Sequence, residues 1–344
     1  MRAKFNSFHR AVQRVFGTVV CAGAMLLMAA SAPAQNLFVG NLVTYPPYTD
    51  TITEITPRGA QSAFASGLSS PVELAFDNAG NLFETDEGSG NIYEFTPGGV
   101  QSTFASGFEL PVGFAIVGTG GVYVASADGN IYRVTSDGVK STFASNLGPT
   151  FGGLAVNSAG DLFEVDANGY IYEFTPDGTK STFASGLTYP ASLTIDSTGD
   201  LFLAAYGGYI YKFTPDGVKS TFASRLNVPA GLAFNSAGNL FEADYGSGNI
   251  YEFTPDGARS TFASGLDEPG ALAFEPSPEL MAAVTNGVIQ VAVTMPPPNY
   301  STIVQVSTDM VNWTSVCTNT PPFTFTNSID PTLPCRFYRA LLGP

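Results

Sequence analysis

The sequence predicts an all-β protein built as a closed ring of six four-stranded sheets, on three observations. The tripeptide Phe-Ala-Ser recurs with its phenylalanine at 64, 104, 143, 183, 222 and 262. Each copy closes a unit of about 40 residues in which four short apolar runs are separated by Gly, Pro, Asn and Asp turn signals. The array begins and ends with complementary fragments of one further unit, so the ends can join.

Within the unit, the elements follow in order. In the last copy the runs are "LAF", "LFEAD", "IYEF" and "STFAS". Asn-x-x-Gly, Gly-Ser-Gly and Pro-Asp-Gly separate them, supplying the fixed or positive φ that tight turns need. Helical periodicity is absent throughout. Four antiparallel strands per unit define a β-propeller blade, whereas a β-solenoid would use a shorter rung with one strand per turn. Residues 36–58 offer a second and a third strand without a first, and "PGALAF" (269–274) offers a first strand alone. Joined, they complete a sixth blade and leave no free sheet edge.

The Phe spacings alternate 40, 39, 40, 39, 40, so the deeper period is 79 residues. One second-strand position reads Val39, Glu84, Val124, Glu164, Leu203, Glu242, and the position two further on reads Asn41, Asp86, Ser126, Asp166, Ala205, Asp244. The third strands carry Glu54, Glu94, Arg133, Glu173, Lys212 and Glu252. From the second blade onward, acidic blades alternate with blades bearing an aliphatic residue and a cation. A two-blade unit has been tripled, which independently supports six blades.

The stretch "PAGLAFNSAGNLFEADYGSGNIYEFTPDG" (229–257) resembles the NHL-type repeat of six-bladed propellers and, more loosely, gluconolactonase-like propellers. The resemblance covers residues 36–275. It implies fold rather than activity, because such propellers bind proteins, sugars or RNA, or catalyse lactone and lyase chemistry.

Residues 1–34 read as a signal peptide. Arg2, Lys4, Arg10 and Arg14 precede an apolar run from Val15 to Ala30, and Ala32-Pro33-Ala34 forms a small-x-small cleavage signal before Gln35. Export to the periplasm, the cell surface or the medium is expected. No later stretch has the roughly 18 continuous apolar residues needed to span a bilayer. Removing four of the 14 Lys/Arg and none of the 29 Asp/Glu takes the net charge from −15 to −19, a surface that repels nucleic acid. The single histidine, His9, leaves with the same segment, so no imidazole base or Ser-His-Asp arrangement remains.

Beyond the repeat, "EPSPE" (275–279) reads as a linker. Residues 276–344 form alternating runs that predict a small β-sandwich, with Trp313 in its core. "VQVSTDMVNWTSV" (304–316) with the terminal "CRFYRALLGP" resembles a fibronectin-like C-terminal module of secreted bacterial proteins. Cys317 and Cys335 are expected to bridge, closing a loop of about 18 residues for roughly 3 kcal/mol. The resulting domains are 1–34, the propeller 35–275 and the module 276–344.

Propeller ligands gather on the face that carries the second-to-third-strand turns. On that face the candidate binding residues are Glu73, Asp86, Glu87, Asp128, Tyr206 and Tyr245. The pairs Glu84/Asp86, Glu164/Asp166 and Glu242/Asp244 have the spacing of acid/base or metal-binding carboxylates. Three equivalent copies one strand out from the channel cannot converge on one substrate. They are expected instead to pair with Arg133, Lys212 or backbone amides at blade junctions. Breaks in the pattern are better pointers. Before the inner "LA" the blades read Glu73, Gly113, Gly153, Ser192, Gly231 and Ala271, so Glu73 alone is charged. Gluconolactonase-like propellers place an acidic metal ligand near the start of an inner strand, but there the glutamate precedes a proline. Here Glu73 follows Pro71, so the motif does not match and no catalytic residue carries across. Asp77 and Asp196 open Asp-x-x-Gly turns and are expected to cap them.

The expected function is a monomeric, non-enzymatic, exported binding or scaffold module for a protein or carbohydrate ligand, with no cofactor. The alternative is a metal-dependent hydrolase or lactonase of gluconolactonase type, using calcium or another divalent ion at the channel mouth.

Overall fold

The computed structural model describes residues 15–21, 24–28, 35–42, 50–117, 121–148, 150–276, 279–285, 288–294, 301–307, 312, 314–319, 323–328 and 335–343. It divides into two units, 34–276 and 1–33 with 277–344. No helix occurs among the described residues, hence none long and apolar enough to cross a membrane.

Residues 34–276 form six four-stranded antiparallel sheets. Blade 1 consists of Leu37–Asn41, Asp50–Ile55 and Gln61–Leu68 with Pro269–Phe274 as its inner strand. Its closing register pairs Leu272 with Val39 and Phe274 with Leu37, as the terminal fragments predict. Blades 2 to 6 begin with the inner strands Pro71–Phe76, Pro111–Val117, Thr150–Val156, Pro190–Ile195 and Pro229–Phe234. The Gln35 amide donates to the Glu275 carbonyl (2.6 Å) and its carbonyl oxygen accepts from the Ser236 amide (2.6 Å), which fastens the closure.

The turn residues act as their chemistry dictates. Asp77 Oδ1 accepts from the amides of Ala79 and Asn81, both at 2.8 Å, and Asn157, Asp196 and Asn235 repeat the arrangement. The Asx-turn expectation holds.

Six hydrophobic clusters correspond to the six junctions between blades, because side chains alternate across each second strand. Leu82 of blade 2 packs with Phe38 and Ala271 of blade 1, Leu162 with Tyr123 and Ala125, and Leu240 with Phe202 and Ala204. Glu84, Glu164 and Glu242 lie on those same faces and are fully buried.

The remaining unit contains two sheets. One is three-stranded (Glu279–Thr285, Val288–Thr294, Phe323–Ser328). The other joins Ala24–Met28, Val15–Cys21, Cys335–Gly343, Ser301–Ser307 and Thr314–Asn319. Trp313 and the side chains of the expected Cys317–Cys335 bridge lie outside the described residues.

Candidate functional site

A backbone device repeated around the ring builds the channel mouth. In blades 1, 2, 3, 5 and 6 the residue before the inner-strand proline takes a positive φ: Glu268 44°, Ser70 67°, Leu110 47°, Tyr189 51° and Val228 59°. This left-handed region is unfavourable for side-chain-bearing residues, most of all for β-branched Val228. The carbonyl so turned accepts the amide of the first residue after the second strand. Ser70 O holds Glu87 N at 3.0 Å, Tyr189 O holds Tyr206 N at 2.9 Å, Val228 O holds Tyr245 N at 3.2 Å and Glu268 O holds Leu42 N at 3.3 Å. Leu110 O does the same for Ala127 N at 3.2 Å.

Each inner strand then shifts register just past its proline (the Thr150 strand shifts in the same place), between Pro71 and Glu73 in blade 2 and at equivalent points in the others. Such irregularities re-aim side chains. Close approach of the strands demands small residues here. A Cβ on Gly231 would lie 2.0 Å from the Gly270 carbonyl oxygen, and one on Gly153 would lie 2.7 Å from a Val165 methyl.

The result is a cavity of about 280 Å³ to which all six blades contribute. Its polar side chains are Ser70, Glu73, Glu87, Ser192, Tyr206 and Tyr245, and backbone, glycine and aliphatic groups form the rest. Four of the six sequence candidates therefore meet in one pocket. Asp86 and Asp128 are not among the lining residues. Asp86 is buried and accepts from the amides of Ser69 (2.6 Å) and Ser89 (2.9 Å), capping the turn. Asp128 is exposed and bonded to Tyr132 and to the Asn130 amide (3.1 Å). Ser70, Ser192 and Leu42 complete the pocket. Ser192 was visible as the hydroxyl among small residues at the Glu73 position, whereas nothing in the repeat marked Ser70 or Leu42.

The rim is lopsided. Blades 5, 6, 1 and 2 contribute Tyr206, Tyr245, Leu42 and Glu87, but blade 3 contributes Ala127 at the same bonded position. Burial pushes the Glu73 carboxyl up to about 8, against the lowering effect of a hydrogen bond with the Leu74 backbone. Burial, reinforced by Glu268, lifts the Tyr245 phenol to about 12, and its hydroxyl donates to Glu268 Oε2 at 2.7 Å. Burial and the Glu87 charge raise Tyr206. Glu87 Oε2 accepts from the Ser70 hydroxyl at 3.0 Å.

The carboxylate pairs follow the expected pairing in their aspartates and depart from it at Glu84 and Glu242. Asp86 and Asp244 do meet backbone amides, the latter accepting from Asn227 N at 2.7 Å, and Asp166 accepts from Tyr170 N at 2.8 Å. Glu84 and Glu242, however, have both oxygens buried without a hydrogen-bond partner. Burial, with the neighbouring aspartate, pushes each up to about 9, in Glu242 despite Arg259, so both are neutral acids at pH 7. Lys212 pairs with Asp200 at 2.6 Å, and Lys140, Lys180, Lys219 and Arg259 sit over Tyr132, Tyr172, Tyr211 and Tyr251.

No family model matches the chain, and no curated protein matches it in sequence. Solved structures do match. Virginiamycin B lyase from Staphylococcus aureus aligns with 82% of this chain and 97% of its own at 15% identity and TM-score 0.52. A putative gluconolactonase aligns with 67% and 88% at 14% identity and TM-score 0.53. Regucalcin, a calcium-binding protein from Agrobacterium tumefaciens, aligns with 65% and 82% at 16% identity and TM-score 0.53. At such identities the likeness concerns the fold, and it agrees with the six-bladed propeller.

Proposed function

We propose that this chain is an exported, non-catalytic propeller of NHL-like repeats that binds a protein or carbohydrate ligand at its axial pocket. In this reading residues 1–34 direct export, and the fibronectin-like C-terminal module presents the propeller as a monomer outside the inner membrane. The observation that supports it is the pocket itself: the repeat is broken where six blades meet, by aromatic, hydroxyl and carboxyl groups suited to holding a ligand. Lyase chemistry of the S. aureus kind finds no counterpart, because a histidine-to-alanine variant of that enzyme is catalytically inactive and the only histidine here is His9.

The second reading, a metal-dependent lactonase, is favoured by Glu73 in the pocket and by the calcium-binding and gluconolactonase neighbours. The donor set fits it poorly. Calcium takes six to eight oxygens and commonly several carboxylates, yet the pocket offers Glu73 and Glu87. No group of three or more His, Cys, Asp or Glu able to hold a metal occurs among the described residues. Thermal-shift measurements on the secreted protein separate the readings. A peptide or oligosaccharide that raises Tm in the wild type but not in Tyr206→Ala supports binding. A Tm increase with calcium or zinc, accompanied by lactone turnover, overturns it in favour of the hydrolase. N-terminal sequencing of the secreted protein should begin at Gln35, and an intact Met1 in the medium would refute signal cleavage.

A further inference from the structure

We infer that the axial pocket recognises an organic ammonium group, as carried by a lysine side chain or a small amine. The inference rests on the pocket being the binding site. Charge selects the class first. Among the described residues, the charged side chains lining the cavity are the carboxyls of Glu73 and Glu87, with no Lys, Arg or His. Anionic ligands are repelled. A divalent ion would meet two carboxylates where it needs a fuller oxygen shell. A neutral sugar would leave Glu73 in its protonated form, whereas an ammonium group pairs with the carboxylate once the proton has left.

Among the described lining residues no cation faces that carboxylate. Lys140, Lys180, Lys219 and Arg259 sit over tyrosine rings on the outer strands, and Lys212 is paired with Asp200. Every other blade has Gly, Ser or Ala at the Glu73 position, so the repeat was altered at this one place. Tyr206 and Tyr245 add π faces at the rim, and aromatic rings attract ammonium groups, more strongly when water is excluded. Their amides are fixed by the left-handed carbonyls of Tyr189 and Val228, and the Tyr245 hydroxyl is anchored on Glu268, so the rim is pre-shaped. The cavity of about 280 Å³ accommodates a side-chain-sized ligand rather than a folded surface.

Binding should move a proton. Among the described residues, the titratable groups lining the pocket are Glu73, Glu87, Tyr206 and Tyr245. Both phenols are pushed upward and stay neutral, while Glu73 sits near 8 and is mostly protonated at pH 7. An ammonium beside it favours the carboxylate, so ligand uptake at pH 7 releases close to one proton and affinity rises about tenfold from pH 6 to pH 7.

The test is calorimetry on the purified full protein with Nα-acetyl-lysine methylamide, in two buffers of different ionisation enthalpy. Putrescine, the Nε-acetylated lysine derivative, glucose and calcium chloride serve as comparisons. The lysine probe should bind with proton release, the acetylated derivative at least tenfold more weakly, and Glu73→Gln should abolish the proton release and weaken binding at least tenfold. Glu73→Gln removes a half-buried acid without changing its size, and an unchanged melting temperature establishes that it folds. Tyr206→Ala gives a second variant, expected to lose affinity while keeping the proton release. Preference for putrescine over the lysine probe would identify a small amine as the source, and the reverse a peptide. Equal binding of the acetylated derivative, or binding without a proton, overturns the ammonium assignment. If glucose alone binds, the pocket reading survives and the ammonium inference falls; if no probe or screened ligand binds, both fall.

Discussion

Three of the blade junctions are lined by carboxylic acids and the other three by aliphatic side chains, on strands paired in the same register. Glu242 opposes Leu232 across the ladder of blade 6, and Leu203 opposes Leu193 in the same register of blade 5. At the junctions of blades 4/5 and 6/1, Leu203 and Val39 pack with Val165 and Ala243. At the acidic junctions the corresponding face of the preceding blade carries Gly40, Ala125 or Ala204, small residues like Ala243 at the 6/1 junction. The propeller thus buries glutamate where it buries leucine, by keeping Glu84 and Glu242 neutral. Register is set by the backbone, and a protonated carboxyl is a tolerable occupant where an ionised one is not.

Moving an acid to an aliphatic junction should have the largest effect. Leu203→Glu loses a buried leucine and must keep a new carboxyl protonated at pH 7, costing about 4–6 kcal/mol, read as a fall in the urea midpoint. Wild-type stability in that variant would break the distinction.

The next effect is on pH dependence. Glu84 and Glu242 have folded-state values raised from 4.5 to about 9, so between those limits the folded chain holds protons that the unfolded chain has lost. Stability should therefore fall as pH rises from about 5 to 9, by up to about 1.4 kcal/mol per pH unit for each group. Urea unfolding at pH 5, 7 and 9 checks the slope. Replacing both residues by methionine should reduce it to the part that Glu73 contributes and stabilise the protein at pH 8; an unchanged slope would mean that the two acids are ionised in the fold.

Smaller again is Asp244→Ala, which strips the Asn227 amide of its acceptor and should cost about 1–2 kcal/mol. Blade 5 carries Ala205 at that position, so the variant asks whether the acidic blades have come to depend on a cap that the others lack. Smallest is Val228→Gly at the channel mouth, which removes a left-handed β-branched residue and should gain up to about 1 kcal/mol, visible as a slightly higher Tm. A loss of stability would show that packing of the valine side chain outweighs its strain.

Much of the candidate site could be read from breaks in the repeat. Glu73 stood out because five other blades are small there, and Tyr206, Tyr245 and Glu87 because they follow the second strand, where blades 3 and 4 have Ala127 and Ala167. Asp86 and Asp128 looked similar in sequence, yet one caps the Ser69 turn from inside the blade and the other bonds Tyr132 at the surface. Which way a side chain points at a turn depends on the local register shift, and the repeat does not encode that directly.

By itself, the sequence determined the blade count, the ring closure and the two-blade alternation, because these follow from period, turn chemistry and strand order, all local to one unit. The tertiary structure alone decided what surrounds each carboxyl. Arg133 and Lys212 were partners the chain offered, but Lys212 bonds Asp200, and the oxygens of Glu84 and Glu242 are buried without a hydrogen-bond partner. It also decided which departures from the pattern converge. Residues from 42 to 270 become neighbours only when the ring closes, so a pocket on its axis belongs to all six blades and is encoded in no single one.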